Sequence, residues 1–284
     1  MTIAVASGKG GAGKTMIATA LTALLAERGA VTLLDCDVEE PNAHLFFDLP
    51  LQASETVWSM VPVFDERRCT HCGVCQRVCA FHALLCLKDT MMLFPELCKG
   101  CRGCVLLCPE AAAMDGHRAV GIVETRQEAG LCLFTGRLHV GDTAAPAVIR
   151  EVKKCRTRDE ETRILDAPPG TACAAVESVR AADYTILVAE ATPFGLHDAE
   201  ALAAVLRDLQ QPFGVVINKS MEGDHTVRDY CARQGIPVIG EIPLREDMAH
   251  TCARGAVLPV ALPDSRRFFD HILSALPLEK EMAA

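Results

Sequence analysis

The first 28 residues constrain the chain more than any other stretch. Strand-like Thr2-Ile3-Ala4-Val5-Ala6-Ser7 runs into Gly8-Lys9-Gly10-Gly11-Ala12-Gly13-Lys14-Thr15, and a helical pattern follows from Met16 to Arg28. This is G-x-x-x-x-G-K-T set between a strand and a helix, the context in which such a loop binds phosphate. The glycines let successive backbone N–H groups curl round phosphate oxygens, and the following helix points its positive dipole end at the same anion. Gly8, Gly10, Gly11, Ala12, Gly13, Lys14, Thr15 and Met16 are therefore candidate ATP contacts. Lys14 is expected to reach the β and γ phosphates, and the Thr15 hydroxyl to ligate Mg²⁺. The alternative, a glycine turn without a ligand, is disfavoured by eight matched positions in the right setting.

A second lysine, Lys9, directly follows the first glycine, so the loop reads K-G-G-x-G-K-T. Downstream, the apolar run Val31-Thr32-Leu33-Leu34 ends in Asp35-Cys36-Asp37-Val38-Glu39-Glu40-Pro41-Asn42. A further apolar run, Thr162 to Leu165, ends in Asp166-Ala167-Pro168-Pro169-Gly170. Carboxylates at the carboxyl ends of buried parallel strands face the crevice where ligands bind. Cys36, between two of them, reads as a small apolar residue. Val215-Val216-Ile217 likewise ends in Asn218-Lys219.

These motifs, in this order, resemble the MinD/ParA/nitrogenase-iron-protein superfamily of ATPases with a deviant phosphate loop. The resemblance implies that Lys9 is a signature lysine reaching across a dimer interface to the partner's nucleotide. The working unit would then be a nucleotide-bridged homodimer, or a heterodimer with a related ATPase. It implies also that Asp37 orients the attacking water, that Asp35 sits near the Mg²⁺ shell, and that Asp166 holds Mg²⁺ through water. Gly170 would let the backbone follow the γ phosphate, and Asn218 would read the adenine. Glu39 stands where the family commonly has glycine, which bears on loop geometry more than on chemistry.

Between the two aspartate motifs the composition changes abruptly. Cys69-x-x-Cys72-x-x-Cys75-x-x-x-Cys79 recurs 29 residues later as Cys98-x-x-Cys101-x-x-Cys104-x-x-x-Cys108-Pro109. Three cysteines two residues apart wrap one corner of a cubane cluster, and in the bacterial two-cluster ferredoxin pattern the fourth serves the other cluster. Two 4Fe-4S clusters are expected, one on Cys69, Cys72, Cys75 and Cys108, the other on Cys98, Cys101, Cys104 and Cys79. Zinc is the competing reading of C-x-x-C pairs, and four cysteines per repeat with the C-x-x-x-C ending favour iron–sulfur. Ala80 replaces the proline expected after Cys79; this alters packing, not ligation. His71 and His82 read as solvated or neighbouring groups.

The expected fold is α/β: a doubly wound, mostly parallel sheet formed by residues 1–60 and 121–284, with a ferredoxin-like module inserted at 61–120. The module is bounded near Val61 and Gly121. Leu45 to Trp58 reads as a short helix with a loop. Ile122 to Arg126 and Leu131 to Val140 read as a return hairpin, Ala147 to Arg158 as a helix, and the following strands and helices alternate to the tail helix Arg266 to Leu276.

Charge narrows the partners. Twenty-eight basic against 37 acidic side chains leave a formal −9, without the basic footprint of nucleic-acid binding. No apolar run is long enough to span a bilayer, and the tail's apolar side reads as core packing, so neither nucleic acid nor membrane is an expected partner. The N-terminus enters a strand with no signal-peptide pattern, so a cytoplasmic location is expected. Its reduced thiols make the fifteen cysteines ligands or buried groups rather than disulfides. ATPases with an inserted ferredoxin domain are associated by resemblance with iron–sulfur or molybdenum cofactor handling, and with small proteins of the dinitrogenase cofactor family as partners. The expected function is therefore an ATPase coupling its cycle to metal-cofactor assembly or delivery; the alternative is ATP-gated electron transfer to a partner.

Overall fold

The computed structural model describes residues 1–128, 130–156 and 162–278. Strand β1 (Thr2–Ala6) is apolar on both faces: Ile3 and Val5 join one core, Ala4 and Ala6 the other. Such a strand needs helices on both sides of its sheet. The remaining elements supply them: α1 (Lys14–Ala26), β2 (Val31–Asp35), β3 (Leu51–Phe64), α2 (Val74–Val78), β4 (Leu84–Cys86), β5 (Met91–Leu93), α3 (Gly103–Leu106), β6 (Ala113–Glu128), β7 (Leu131–Leu138), α4 (Ala145–Lys154), β8 (Thr162–Asp166), α5 (Cys173–Val179), β9 (Tyr184–Glu190), α6 (Pro193–Asp208), β10 (Phe213–Ser220), α7 (Thr226–Gln234), β11 (Val238–Pro243), α8 (Glu246–Ala253), α9 (Leu258–Ala261) and α10 (Arg266–Ala275).

The main sheet has the order β11-β10-β9-β1-β8-β2-β7-β6-β3. From β11 to β7 the neighbours are parallel; β6 pairs antiparallel with β7, and β3 antiparallel with β6. Helices α1 and α10 cover one face through Ile17, Leu21, Leu24, Phe269, Ile272 and Leu273. Helices α4, α6 and α7 cover the other through Val148, Ile149, Leu202, Leu206 and Val227. The apolar side of the tail is thus spent on the core, and no helix among the described residues is long and apolar enough to cross a membrane.

Leu45 to Trp58 is not the expected short helix with a loop. A single 3-10 turn at Ala43–Leu45 gives way to β3, which pairs with β6 from Leu51 opposite Arg126 to Phe64 opposite Ala113. Its first six residues are exposed on the sheet edge, so they carry no apolar alternation; Val57, Ser59 and Val61 are the first to turn inward. Pairing, not side-chain pattern, makes this half a strand. For the same reason β6 begins well before the expected Ile122. Helix α4 spans part of the expected Ala147–Arg158; Thr157 and Arg158 lie outside the described residues.

Residues between the ends of β3 and β6 form a small lobe with an internal pseudo-twofold. The hairpin β4/β5 pairs Leu84 with Leu93, and the ribbon end pairs Phe64 with Ala113: each residue has its counterpart 29 positions away in the other pair. The flanking bonds repeat as well, Asp65 N to Ala112 O at 2.8 Å and Phe94 N to Ala83 O at 2.8 Å. Between them, Cys75, Leu84 and Cys104 form a miniature core.

Candidate nucleotide and cysteine sites

The phosphate loop leaves β1 at Ser7 and enters α1 at Lys14. Two of its glycines are obligatory. A Cβ on Gly8 would lie 2.0 Å from the Asp198 carbonyl oxygen of α6, and Gly13, at φ 97°, would press one against the Asn218 amide. Gly10 and Gly11 are exposed, leaving their backbone open to a ligand. Lys14 is 6 % exposed, and Met16 sits beside Gly13.

Three carboxylates gather behind Lys14 and Thr15. Asp35 and Asp166 are wholly buried and paired in register on adjacent strands. Asp35 accepts hydrogen bonds from the Ala43 N–H (3.0 Å) and the Asp37 N–H (3.3 Å), whereas neither Asp166 oxygen has a hydrogen-bond partner. Burial, then the neighbouring Asp166, push the Asp35 pKa well up. Burial pushes Asp166 to about 7, against the pull of the nearby Thr15 hydroxyl and Lys14. Asp37, less buried, is raised by burial to about 6, with Lys14 opposing. An unpartnered buried carboxylate beside a threonine hydroxyl is a donor set that fits a hard divalent cation such as Mg²⁺.

Asn218 closes the site from β10, its amide donating to the Ala12 carbonyl at 2.7 Å. Gly170, at φ 91°, donates its N–H to Ser7 O at 2.9 Å, tying the Asp166 loop to the start of the phosphate loop. The structure therefore brings together Lys14, Thr15, Asp35, Asp37, Asp166 and Asn218. Lys9 stands apart, turned onto Glu190, whose carboxylate it holds below its ordinary pKa with help from Lys219. Glu190 went unread in the sequence, though it ends an apolar strand, the same signal that marks Asp35 and Asp166.

The cysteine lobe encloses two separate small cavities. One is walled by Cys69, Cys72, Cys75 and Cys108, the other by Cys98, Cys101, Cys104 and Cys79. The two halves match position by position. His71 and Gly100, Gly73 and Arg102, and His82 and Ala111 all have positive φ. Cys72 and Cys101 are exposed, and Cys75 and Cys104 buried. Each fourth cysteine accepts a backbone N–H: Cys79 Sγ from Ala83 at 3.4 Å and Cys108 Sγ from Ala112 at 3.3 Å. Burial raises the Cys104 thiol to about 11. For Cys108, the N–H groups of Ala113, Ala112 and Glu110 outweigh burial and lower it. Among the described residues no three His, Cys, Asp or Glu side chains converge closely enough to hold a metal ion; the four cysteines of each quartet line a common cavity.

The lobe is clipped to the sheet beside the nucleotide loops. Lys99 Nζ donates to Thr143 Oγ1 at 2.7 Å, and Thr143 Oγ1 donates to Glu96 O at 2.7 Å. At the end of β7, just before that connection, Leu138 N donates to Val38 O, one residue past Asp37, at 2.8 Å.

The sequence pattern of the CobQ/CobB/MinD/ParA nucleotide-binding domain matches residues 3–258. The chain belongs to this family. It is 32 % identical to the Methanocaldococcus jannaschii protein MJ0578 over 77 % of this chain and 78 % of that one. It is 29 % identical to MJ0579 of the same organism over 77 % and 80 %. Among solved structures, MinD of Pyrococcus horikoshii in complex with Mg-ADP superposes with a TM-score of 0.60 at 18 % identity, covering 100 % of this chain and 98 % of that one. A Cyanothece McdA variant in complex with ATP gives 0.59 at 15 % over 97 % and 95 %. At these identities the structures speak for the fold alone. The chain is a nucleotide-binding member of the MinD/ParA type on a large, mostly parallel sheet.

Proposed function

We propose that this protein binds and hydrolyses ATP, holds two 4Fe-4S clusters, and couples its nucleotide cycle to assembly or delivery of a metal cofactor on a partner. The observation that bears most on this reading is the split of eight cysteines into two cavities, each taking three cysteines from one motif and the fourth from the other. Four cysteines lining one cavity suit a cubane better than one ion, and backbone N–H groups lower the Cys108 thiol pKa. Such clusters supply one-electron redox chemistry when bound.

On the nucleotide side, Lys14 neutralises charge on the β and γ phosphates and the loop N–H groups fix their orientation. Mg²⁺ accompanying the nucleotide would be held by Thr15 and, through water, Asp166, neutralising phosphate charge. Asp37, ionised at neutral pH and less buried than its neighbours, orients the attacking water. Asn218 spends its amide N–H on Ala12 and keeps its carbonyl free for the adenine amino group. Lys9 serves the nucleotide of a second subunit, identical or related. The Lys99–Thr143 clip and the Leu138–Val38 bond give the Asp37 loop a short mechanical route to the second cysteine motif. The partner fitting this reading is a small cofactor-carrying protein of the dinitrogenase cofactor family.

The reading is tested by purification without oxygen followed by iron and sulfide analysis. About eight iron and eight sulfide per chain are expected; iron near zero overturns it. ATP-gated electron transfer to a partner is the second reading, and the clip supports it equally. It is separated from the first by whether a bound partner gains metal or only electrons.

A further inference from the structure

Lys9 is held within its own chain. Its Nζ lies 2.5 Å from Glu190 Oε2. The other oxygen, Oε1, receives Lys219 Nζ at 3.3 Å, and the same ammonium donates to Gly11 O at 2.9 Å. One carboxylate thus holds two lysines, one per oxygen, and both lysines are tied to the phosphate loop. The carboxylate comes from a fixed turn: Glu190 ends β9, and its carbonyl packs so closely on Gly195 that a Cβ there would come within 2.3 Å.

We infer that Glu190 is a positioning residue that parks Lys9 in its own subunit, and that Lys219 keeps Glu190 paired when Lys9 leaves for a nucleotide triphosphate on a second copy of the chain. The inference rests on reading Lys9 as a residue that serves a partner's nucleotide. The Glu190 side chain is only 18 % exposed, and loss of Lys9 with no other cation at hand would strand a poorly solvated carboxylate. A second lysine on the opposite oxygen removes most of that penalty, so the exchange stays close to balance. A triphosphate, with several negative charges against one, then draws Lys9 across. Because the pair is partly exposed, its hold weakens as salt rises.

The test is sedimentation velocity on the full chain titrated with ATPγS. Releasing two partly exposed ion pairs at the upper end of their range makes dimerisation about tenfold more favourable, about 1.4 kcal/mol per dimer; with two nucleotides taken up per dimer, Glu190→Gln is expected to dimerise at about threefold lower nucleotide. Glu190→Asp, retaining the charge, returns towards the wild type. In a Lys9→Ala background Glu190→Gln has no further effect. An unchanged midpoint in Glu190→Gln, or an effect that survives in Lys9→Ala, overturns the inference. A wild-type chain that stays monomeric with nucleotide bound overturns the dimer reading instead. Parking is then judged on the nucleotide-free protein by the ¹³C-methyl-lysine NMR signal of Lys9: it must move in Glu190→Gln, and an unmoved signal overturns it.

Discussion

Asp35 and Asp166 stand directly opposite each other on the neighbouring parallel strands β2 and β8, and neither is exposed to solvent. Two buried carboxylates at this separation cannot both ionise cheaply without a cation between them and their surroundings. Only Asp35 is compensated by backbone N–H groups; neither Asp166 oxygen has a hydrogen-bond partner.

The stability of the nucleotide-free protein should therefore fall as pH rises. Asp166 and Asp37 have native pKa values of about 7 and about 6, above the unfolded value near ~4. Between these limits the native state binds more protons than the unfolded one, so the stability they contribute is lost as pH climbs to about 7. Urea unfolding at pH 5 and pH 8 should show a loss of about 3–4 kcal/mol for the two groups together, and Asp166→Asn should remove the larger part of it. Magnesium nucleotide affinity should move oppositely, tightening as these groups deprotonate.

Binding and hydrolysis should separate by residue. Asp37→Asn should retain nucleotide but lose ~100-fold or more in turnover, since under the proposed function it removes the group that orients water. Lys14→Ala should weaken nucleotide binding itself. Calorimetric titration beside a phosphate-release assay distinguishes the two.

Cysteine substitutions should report the crossed pairing. Cys108→Ser is expected to deplete the site of Cys69, Cys72 and Cys75, and Cys79→Ser that of Cys98, Cys101 and Cys104. Each should remove about half the iron, and the electron paramagnetic resonance signals lost in the two variants should differ. Loss of the same signal in both contradicts the pairing.

Gly8→Ala should destabilise the fold by about 2 kcal/mol or more, because the added Cβ meets the Asp198 carbonyl oxygen at 2.0 Å. Gly10→Ala, where nothing lies within 4 Å, should leave thermal unfolding nearly unchanged.

Much of this was legible in the sequence because the motifs are local. The phosphate loop, the strand-end aspartates and the cysteine spacing are each set by a few consecutive residues whose geometry admits little freedom. Strand β3 was not legible, since its exposed half is held by pairing with residues more than fifty positions away. The Glu190–Lys9 pair was hidden for a related reason: β9 lies next to β1 only through sheet order. The Lys99–Thr143 clip likewise joins side chains that the sequence separates by 44 residues.

That clip also makes a prediction. Lys99→Ala removes a contact between the second cysteine motif and the β7–α4 connection without touching the phosphate loop. It should leave nucleotide affinity unchanged while reducing any nucleotide-dependent change in the lobe, read by hydrogen exchange across residues 96–104.

The central claim is that the state of the phosphate loop is felt at the cysteine lobe. Its most direct test is the rate at which dithionite bleaches the visible absorbance of anaerobically purified Asp37→Asn protein, compared between Mg-ADP and unhydrolysed Mg-ATP. The account predicts rates that differ reproducibly with nucleotide, by about threefold or more for a coupling of even ~0.7 kcal/mol. Identical rates in the two states would contradict it.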